Sequence, residues 1–245
     1  MLGIENKVVA ITGASGGIGA ATAVLLAERG AKVVLGGLRE EALKGVVDEI
    51  AAAGGEAVYA RTDVTRRGDL VDFVALARER FGKLDVLVNN AGVGPVSPLA
   101  DLRVDDWELM VDVNIKGVLF GIAAALPVFY EQGFGHVVNT ASTAAYTTSP
   151  NQAVYSGTKV AVTAISEGLR KESGGTVRVS IVSPGFVQTA FVETVKNPEV
   201  RAQLIEARDR FAVPPVAIAR AIAFAIEQPA EVDVNEIVVR PAAQG

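Results

Sequence analysis

A tyrosine and a lysine four positions apart are the residues of this sequence best suited to acid–base chemistry. They lie in YSGTK, residues 155–159, of a 245-residue chain with no cysteine and one histidine. On a helix, Tyr155 and Lys159 would share one face. A nearby cation favours the phenolate, so Lys159 would lower the phenol pKa from its usual value of about 10. Such a tyrosine can protonate a carbonyl oxygen and take the proton back in the reverse direction. A surface tyrosine beside a solvated lysine would look the same, so the rest of the chain must decide.

Several other chemistries are disfavoured by composition. Without cysteine the chain has no thiol nucleophile, disulfide or cysteine-bound metal. The lone His136 has no partners at metal-ligand spacing and no Ser-His-Asp arrangement, so we expect no metal and a structural histidine. A formal net charge of −5 offers no basic surface for nucleic acid. No leader pattern and no uninterrupted apolar run of about 20 residues is evident, which predicts a cytoplasmic protein outside the membrane.

The elements that must position these residues form an alternating pattern. Short runs rich in valine and isoleucine alternate with segments whose apolar residues recur every three or four positions. Most runs are apolar throughout, as in parallel strands covered on both faces. The alternation, without a flexible linker, predicts one α/β domain over residues 1–245, with a doubly wound, parallel, seven-stranded sheet and helices on both faces. The strand candidates are 7–12, 32–36, 56–62, 84–89, 136–141, 177–182 and 236–240.

A glycine-rich turn, TGASGGIG at residues 12–19, joins the first predicted strand to a helix. Glycines there permit a tight turn, close approach of a pyrophosphate and close packing of helix on strand. The helix N-terminus adds free N–H groups and the positive end of its dipole. The spacing G-x-x-x-G-x-G is unusual, so the position of the turn, more than its pattern, predicts dinucleotide binding. No Lys-Ser/Thr follows, which argues against a Walker-type loop.

The end of the second strand, LGGLRE at residues 35–40, bears on which dinucleotide is bound. A carboxylate there would bond the adenosine ribose and repel a 2′-phosphate. This chain has no acid at the strand tip, and Arg39 follows closely, which favours NADP(H) while leaving NAD(H) or dual use open. Arg39 on the surface of the next helix is the simpler alternative. Asp63, after the third strand, suits either the adenine amine or a helix cap.

Taken together and in their order, these motifs resemble those of the classical short-chain dehydrogenases/reductases. Ser142 precedes Tyr155 by 13 residues, the usual interval of that family, and the similarity spans essentially the whole chain. The resemblance implies a Rossmann-type fold and is nearest to bacterial NADP-preferring carbonyl reductases and alcohol dehydrogenases. Members of that kind often carry basic residues where this chain has Gly16 and Leu38. The matching motifs are TGASGGIG (12–19), Asp63-Val64, NNAG (89–92), VNIKG with Asn114, NTAS with Ser142, YSGTK (155–159) and SPGFVQT (183–189).

The resemblance also implies a role for each matching residue. Ser142 would donate to the substrate oxygen, and Asn114 would hold a water that links Lys159 to solvent. The implied catalytic residues are Asn114, Ser142, Tyr155 and Lys159. The implied cofactor contacts are Gly13, Ser15, Gly17, Ile18, Gly19, Arg39, Asp63, Val64, Asn90, Ala91, Gly92, Tyr155, Lys159, Pro184, Gly185, Val187 and Thr189.

A mostly apolar substrate pocket is predicted beside these residues. The segment 186–213 contains amphipathic pieces that would lie over the nicotinamide as a lid. This character predicts a ketone or secondary alcohol with an aromatic or aliphatic body and little need for charge. The residues expected to face the substrate are Val93, Ala144, Tyr146, Gln152, Phe186 and Phe191.

The sequence therefore predicts an NADP(H)-dependent oxidoreductase that interconverts ketones and secondary alcohols, assembled as a homotetramer or homodimer as is usual in the family. Two alternatives stay open. A reductase of 3-oxoacyl groups on acyl carrier protein would need a basic docking patch, for which Arg201, Arg208 and Arg210 are candidates that nearby acids offset. A nucleotide-sensing regulator would keep the fold but would not need Tyr155 and Lys159.

Overall fold

The computed structural model describes residues 3–243, and each predicted strand lies within two residues of an observed one. All seven strands are parallel and lie in the order β3-β2-β1-β4-β5-β6-β7. The predicted Rossmann-type sheet is therefore confirmed. The strands are β1 (Val8–Thr12), β2 (Lys32–Gly37), β3 (Glu56–Arg61), β4 (Val86–Asn89), β5 (Gly135–Thr140), β6 (Val177–Pro184) and β7 (Glu236–Val239).

Helices cover both faces of this sheet. They are α1 (Gly17–Glu28), α2 (Glu40–Ala52), α3 (Arg67–Phe81), α4 (Val104–Val111), α5 (Gly117–Gln132), α6 (Ala153–Glu172), α7 (Pro198–Phe211) and α8 (Pro215–Glu227). Buried residues of α3, α5 and α6 pack on one face, and those of α1, α2 and α8 pack on the other. A π-helical turn, Asp112–Lys116, joins α4 to α5, where the sequence predicts ordinary helix.

The two cores explain why the strands are apolar throughout. Successive strand side chains point to opposite faces. In β1, Val8 and Ala10 enter the core beneath α3 and α5, while Val9 and Ile11 enter the core beneath α1 and α8. Burying each large apolar side chain contributes about 1.5–3 kcal/mol. Because neither face meets solvent, no polar residue is needed in the run.

The chain winds outward from β1 in both directions, so a crevice opens at the carboxyl ends of β1 and β4. Side chains tie the two strand ends together. Thr12 Oγ1 accepts hydrogen bonds from the backbone N–H groups of Asn90 and Ala91, both at 3.1 Å. Asn90 Nδ2 donates to the Thr12 carbonyl at 3.0 Å. The loop after β4 is therefore held against the glycine turn.

The continuous helical stretch from Val104 to Gln132 is long and apolar enough, by length and composition alone, to cross a membrane. This finding differs from the sequence expectation of no such segment. In the fold, Val118, Ile122 and Ala125 of α5 pack into the core against α3. Packing against the sheet accounts for these apolar residues, while others in the same stretch, such as Leu109 and Leu119, are exposed.

Candidate active site

Helix α6 presents Tyr155 and Lys159 to one cavity of about 380 Å³ at the carboxyl edge of the sheet. Lys159 Nζ lies 5.8 Å from the centre of the Tyr155 ring. Ser142 follows β5, lines the same cavity, and shares a side-chain hydrogen bond with Tyr155. Three of the four residues expected to be catalytic are therefore neighbours in one wall.

Burial disfavours charge on both members of the tyrosine–lysine pair. Desolvation lowers the pKa of Lys159 to about 8. Desolvation also raises the pKa of Tyr155 to about 12, and the hydrogen bond with Ser142 opposes it only in part. This direction is opposite to the sequence expectation for Tyr155, because desolvation is the largest influence on the phenol pKa and only Ser142 acts against it. At neutral pH the tyrosine is a protonated phenol, which is the form that can donate a proton.

Asn114 lies behind the cavity wall, in the π-helical turn, and is 1% exposed. Its Oδ1 accepts from the Val93 N–H and its Nδ2 donates to the Val93 carbonyl, both at 2.9 Å. Nδ2 also donates to Thr158 Oγ1 at 3.1 Å. The side chain of Asn114 thus joins the loop after β4 to α6, the helix that carries Tyr155. Its water-holding role stays a prediction.

The glycine turn leaves the start of α1 open to a ligand. Gly16 is the N-cap and supplies no side-chain hydrogen bond, so the first N–H groups of the helix have no partner within residues 3–243. Gly13 and Gly17 have φ angles of 68° and 56°, in the left-handed region that favours glycine. A β-carbon on Gly19 would lie 2.4 Å from the Gly13 carbonyl oxygen. The turn therefore requires glycine, and its free N–H groups suit a pyrophosphate.

Arg39 lies across this turn. It is the N-cap residue of α2, and one terminal nitrogen donates to the Ser15 carbonyl at 2.9 Å. A β-carbon on Gly16 would lie 3.2 Å from the same guanidinium group. The place of Arg39 at the N-cap of α2 fits the simpler alternative, in which it serves only the surface of that helix. The bond of its side chain to Ser15 does not, because it reaches the glycine turn.

Two further cofactor candidates, Asp63 and Val64, make contacts within the protein that stabilise the fold. Asp63 Oδ1 accepts from the backbone N–H and the hydroxyl of Thr65, at 3.0 and 2.7 Å. It stabilises the turn before α3, whose N-cap residue is Arg66, so the alternative in which Asp63 is the cap of that helix is not observed. The side chain of Val64 is buried in the core and would touch a β-carbon on Gly117. The cofactor candidates in the cavity wall are Ile18, Asn90, Gly92, Tyr155, Lys159, Pro184, Gly185, Val187 and Thr189.

The segment 186–213 forms the outer wall of the cavity. Its two ends are joined, because the Val213 N–H donates to the Phe186 carbonyl at 3.0 Å. In the middle, the ring of Phe191 lies edge-on to that of Tyr155, with centres 5.5 Å apart. Lys196 donates to buried Asp106 of α4 at 2.5 Å, which anchors the far side. The segment is thus a loop closed at its base by Phe186 and Val213, and Lys196, within it, bonds to α4.

Four of the six residues expected to face the substrate line the cavity: Ala144, Gln152, Phe186 and Phe191. Tyr146 is a correction, because its hydroxyl lies outside the cavity wall, bonded to Ser183 at 2.9 Å and to Glu236. Val93 is a second correction. Its backbone is engaged by Asn114, and Val96 lines the cavity instead.

The cavity wall also contains residues that the sequence did not assign to the substrate. From the sequence, Arg208 was a candidate only for a protein-docking patch, and Arg240 was given no role. The available signal for Arg240 was its place just after the last strand, since ligands in open α/β sheets bind at the carboxyl ends of strands. The added wall residues are Thr140, Ala141, Thr143, Thr147, Ser149, Val192, Leu204, Arg208 and Arg240. Within residues 3–243, no group of three or more His, Cys, Asp or Glu side chains is arranged to hold a metal.

Residues 7–200 match the family described as short chain dehydrogenase. Since the match covers more than half of the chain, the protein belongs to this family and is one of its oxidoreductases. Family members of known structure hold NADP or NAD, in agreement with a nicotinamide cofactor at the glycine turn.

Individual relatives resemble the chain over nearly its whole length. An uncharacterized oxidoreductase of Listeria innocua is 47% identical over 244 residues, which are 98% of each protein. An alcohol dehydrogenase from the archaeon Thermococcus sibiricus, complexed with 5-hydroxy-NADP, is 31% identical, with a TM-score of 0.88 over 98% of this chain and 99% of its own. A short-chain dehydrogenase/reductase of Burkholderia phymatum in complex with NAD is 32% identical, with a TM-score of 0.89 over 97% and 90%.

Proposed function

We propose that the protein interconverts ketones and secondary alcohols with NADP(H), and that Tyr155 is the general acid and base. One observation carries this proposal: Ser142, Tyr155 and Lys159 share a cavity with the 184–189 segment expected to hold the nicotinamide. The cavity wall also includes Ile18, at the open start of α1. A substrate carbonyl beside the tyrosine would thus be within reach of the cofactor.

The chemistry assigned to the chain is proton transfer and orientation. A bound nicotinamide supplies the hydride in reduction and accepts it in oxidation. Tyr155, a phenol at neutral pH, donates its proton to the carbonyl oxygen. Ser142 donates a hydrogen bond to the same oxygen and stabilises its developing negative charge. In oxidation Tyr155 must first lose its proton, which requires positive charge nearby to counter the effect of burial.

Lys159 has the unused hydrogen-bonding capacity that a cofactor ribose needs. It is 5% exposed, and its ammonium group donates to the Thr140 carbonyl at 2.9 Å. The other two ammonium hydrogens have no acceptor within residues 3–243, and Thr140 Oγ1 is also buried there without a partner. Such groups are costly unless a ligand satisfies them. We therefore assign Lys159 to the ribose hydroxyls and to the tuning of Tyr155.

The preference for NADP(H) rests on Arg39 and on the absence of an acid at the end of β2. Arg39 already lies over the glycine turn, bonded to the Ser15 carbonyl. A 2′-phosphate at this place would gain a charge-assisted hydrogen bond from the guanidinium group. The homologous structures hold both kinds of dinucleotide, so the preference belongs to this chain and requires its own measurement.

The decisive experiment mixes purified protein with NADPH or NADH and a panel of aryl and alkyl ketones, and follows cofactor absorbance. Loss of NADPH absorbance with several ketones supports the proposal. No turnover of any ketone, with cofactor binding intact, would favour the nucleotide-sensing regulator. Turnover of acyl-carrier-protein thioesters in strong preference to free ketones would favour the 3-oxoacyl reductase.

We also propose that the protein is a homo-oligomer. Helices α4, α5 and α6 each leave apolar side chains exposed, including Leu109, Leu119 and Val160. Burying such groups between copies would be favourable. Light scattering coupled to size-exclusion chromatography tests this: a dimer or tetramer supports the proposal, and a monomer contradicts it.

A further inference from the structure

We propose that Arg240, together with Arg208, binds a carboxylate of the substrate, so that the preferred ketone is a small oxo acid. This inference rests on the proposed function, since it assigns a substrate class to the same cavity. It also departs from the sequence expectation of a pocket with little need for charge. The grounds are the positions of the two arginines, their free donors and the charge balance of the wall.

Arg240 is placed by the edge of the sheet. Strand β7 pairs with β6 so that Val239 lies opposite Pro184, and the Gly185 N–H donates to the Val239 carbonyl at 2.7 Å. Arg240 therefore follows directly beside Gly185, in the wall of the cavity. Within residues 3–243 its guanidinium group makes no hydrogen bond or salt bridge, so all five of its donors are free.

Arg208 approaches from the lid. It lies four residues after Leu204 on α7, and both side chains line the cavity, as expected for one helix face. Its Nε donates to exposed Asp209 at 2.8 Å, which leaves the two terminal nitrogens without a partner in the described chain. The two arginines thus belong to different elements, the lid and the sheet, and face one cavity.

The charge of the cavity wall is one-sided. Its ionisable cations are Lys159, Arg208 and Arg240, and no aspartate or glutamate of the described chain lines it. The nearby carboxylate of Glu236 is occupied by the hydroxyl of Tyr146, outside the wall. An apolar ketone would offer no acceptor to either arginine, so the free donors of the partly exposed Arg208 and the exposed Arg240 would keep only water as a partner. A carboxylate offers oxygens that match the planar guanidinium fork.

Arg208 could also bind a different group, the cofactor pyrophosphate, whereas Arg240 could not. Arg208 also borders a surface crevice with Gly17, Gln188 and Thr189, beside the start of α1 where a pyrophosphate would lie. Arg240 does not border that crevice. Arg240 is therefore the residue on which the proposal is tested, and Arg208 is tested for both roles.

The experiment compares pyruvate, acetoacetate and levulinate, each against its methyl ester, as substrates with NADPH. The series lengthens the distance between carbonyl and carboxylate, so it also measures how far the arginines lie from Tyr155. We expect kcat/KM for the best acid to exceed that for its ester by about 10-fold to 100-fold. Arg240→Gln should abolish this preference by bringing kcat/KM for the acid down to about that for its ester. Arg220→Gln, an exposed change of equal charge on α8 outside the wall, should keep the preference.

Three results would overturn the proposal while leaving ketone reduction intact. One is that wild-type protein uses every ester as well as its acid. Another is that Arg240→Gln keeps the preference for the acid. The third is that acetoacetyl-coenzyme A is preferred to acetoacetate in an Arg240-dependent way, which would assign the arginine to a phosphate. If Arg208→Gln raises KM for NADPH and leaves the acid-to-ester ratio of kcat/KM unchanged, Arg208 binds the dinucleotide. The carboxylate site then consists of Arg240 without Arg208.

A binding measurement keeps the inference separate from the proposed function. If no ketone is reduced, the proposed function fails, and calorimetry of levulinate with the protein–NADPH mixture decides the inference alone. Levulinate should then bind about tenfold or more tightly than methyl levulinate, and Arg240→Gln should remove the difference. Equal binding of acid and ester to wild-type protein would overturn the assignment of Arg240.

Discussion

The two ends of the central strands both bury polar side chains, but they differ in how many hydrogen bonds those side chains make. At the amino end, His136 is 2% exposed and uses both ring nitrogens: Nε2 contacts Ser180 Oγ at 2.9 Å and Nδ1 contacts Arg178 at 3.2 Å. At the carboxyl end, Lys159 is buried to a similar degree and makes one hydrogen bond, to Thr140. The first cluster is satisfied by the protein itself, whereas the second keeps donors in reserve.

Arg178 shows how complete the amino-end cluster is. Its guanidinium group reaches the carbonyls of Ala225 and Ile226 at 3.5 and 3.3 Å, in the last turn of α8, and the Val232 carbonyl at 2.9 Å. The last carbonyls of a helix have no partner within the helix, so this arginine stabilises the end of α8. Buried polar groups that are fully bonded stabilise a fold, while buried groups with spare donors point to a ligand. The comparison predicts that substitutions at the two ends will separate catalysis from stability.

Tyr155→Phe should have the largest effect on catalysis. Removing the hydroxyl removes the proton donor, and we expect kcat for ketone reduction to fall about 10²-fold to 10⁴-fold. The affinity for NADPH and the melting temperature should change little, because the ring keeps its contact with Phe191. Steady-state kinetics, cofactor titration and thermal unfolding measure the three quantities. Tyr146→Phe is the matched control, since that hydroxyl lies outside the cavity wall. Retained activity with bound cofactor would exclude Tyr155 as the acid.

Lys159→Ala should lower activity and also change its pH dependence. The ammonium group favours the phenolate of Tyr155, so its loss should raise the apparent pKa of alcohol oxidation and move the rising limb of the profile to higher pH. NADPH affinity should fall about tenfold through loss of the ribose contacts. Rates of alcohol oxidation over a pH series measure the shift. Lys171→Ala, at an exposed position on the same helix, is the control. An unshifted profile would remove the tuning role.

Arg178→Met should have the opposite signature to the two preceding variants. It removes a donor from the carbonyls of two buried residues, Ala225 and Ile226, and we expect the free energy of unfolding to fall by about 3 kcal/mol. Values of kcat and KM should stay within about twofold at temperatures where the variant is folded, because the change is at the far end of the strands. Urea unfolding and kinetics at low temperature measure the two effects. Arg29→Met breaks a surface ion pair with Glu227 and should cost about 1 kcal/mol or less. A loss of activity without a loss of stability in Arg178→Met would contradict the comparison.

Arg39→Ala tests a third kind of site, an exposed arginine with a bond to the glycine turn. We expect KM for NADPH to rise about tenfold, because a charge-assisted hydrogen bond to the 2′-phosphate is lost. KM for NADH, which lacks that phosphate, should change little and serves as the internal control. Equal losses for both dinucleotides would mean that Arg39 supports the turn through Ser15 and does not select the cofactor.

The sheet and the side of the cavity that holds Ser142, Tyr155 and Lys159 were predictable, because they follow from patterns local to the chain. Val86, Leu87 and Val88 of β4 are apolar on both faces, and Ser142 comes shortly after the end of β5, where ligands bind. The π-helical turn was not predictable, since the segment Asp112–Lys116 reads as ordinary helix. Its Asn114 is engaged instead by Val93 and Thr158, which are distant in sequence.

The substrate side of the wall was harder to predict, because it too depends on contacts between residues distant in sequence. Whether a loop side chain faces the cavity depends on the path of the loop backbone. The sequence pointed to Val93, whereas the structure places Val96 in the wall. Tyr146 is drawn away by Ser183 and Glu236, which lie on two different strands. The pKa of Tyr155 differed from expectation because the extent of burial is a property of the packed fold.

His136→Gln should have the smallest effect, confined to the pH dependence of stability. Burial, followed by the cations of Arg178 and Lys7, holds the pKa of His136 well below 6.5, so the folded protein keeps the ring neutral. The unfolded chain takes up a proton below about pH 6.5. The contribution of His136 to stability is therefore complete above that pH. As the pH falls, it is lost at up to about 1.4 kcal/mol per pH unit.

Urea unfolding of wild-type protein and His136→Gln between about pH 5 and pH 8 measures this difference. The variant should be less stable than wild type above about pH 6.5 and should show a shallower decline below it, because it has no imidazole to protonate on unfolding. Equal slopes in the two proteins would mean that the folded state protonates His136. In that case the amino-end cluster would not be closed to protons, and the contrast with the carboxyl end would rest on Arg178 alone.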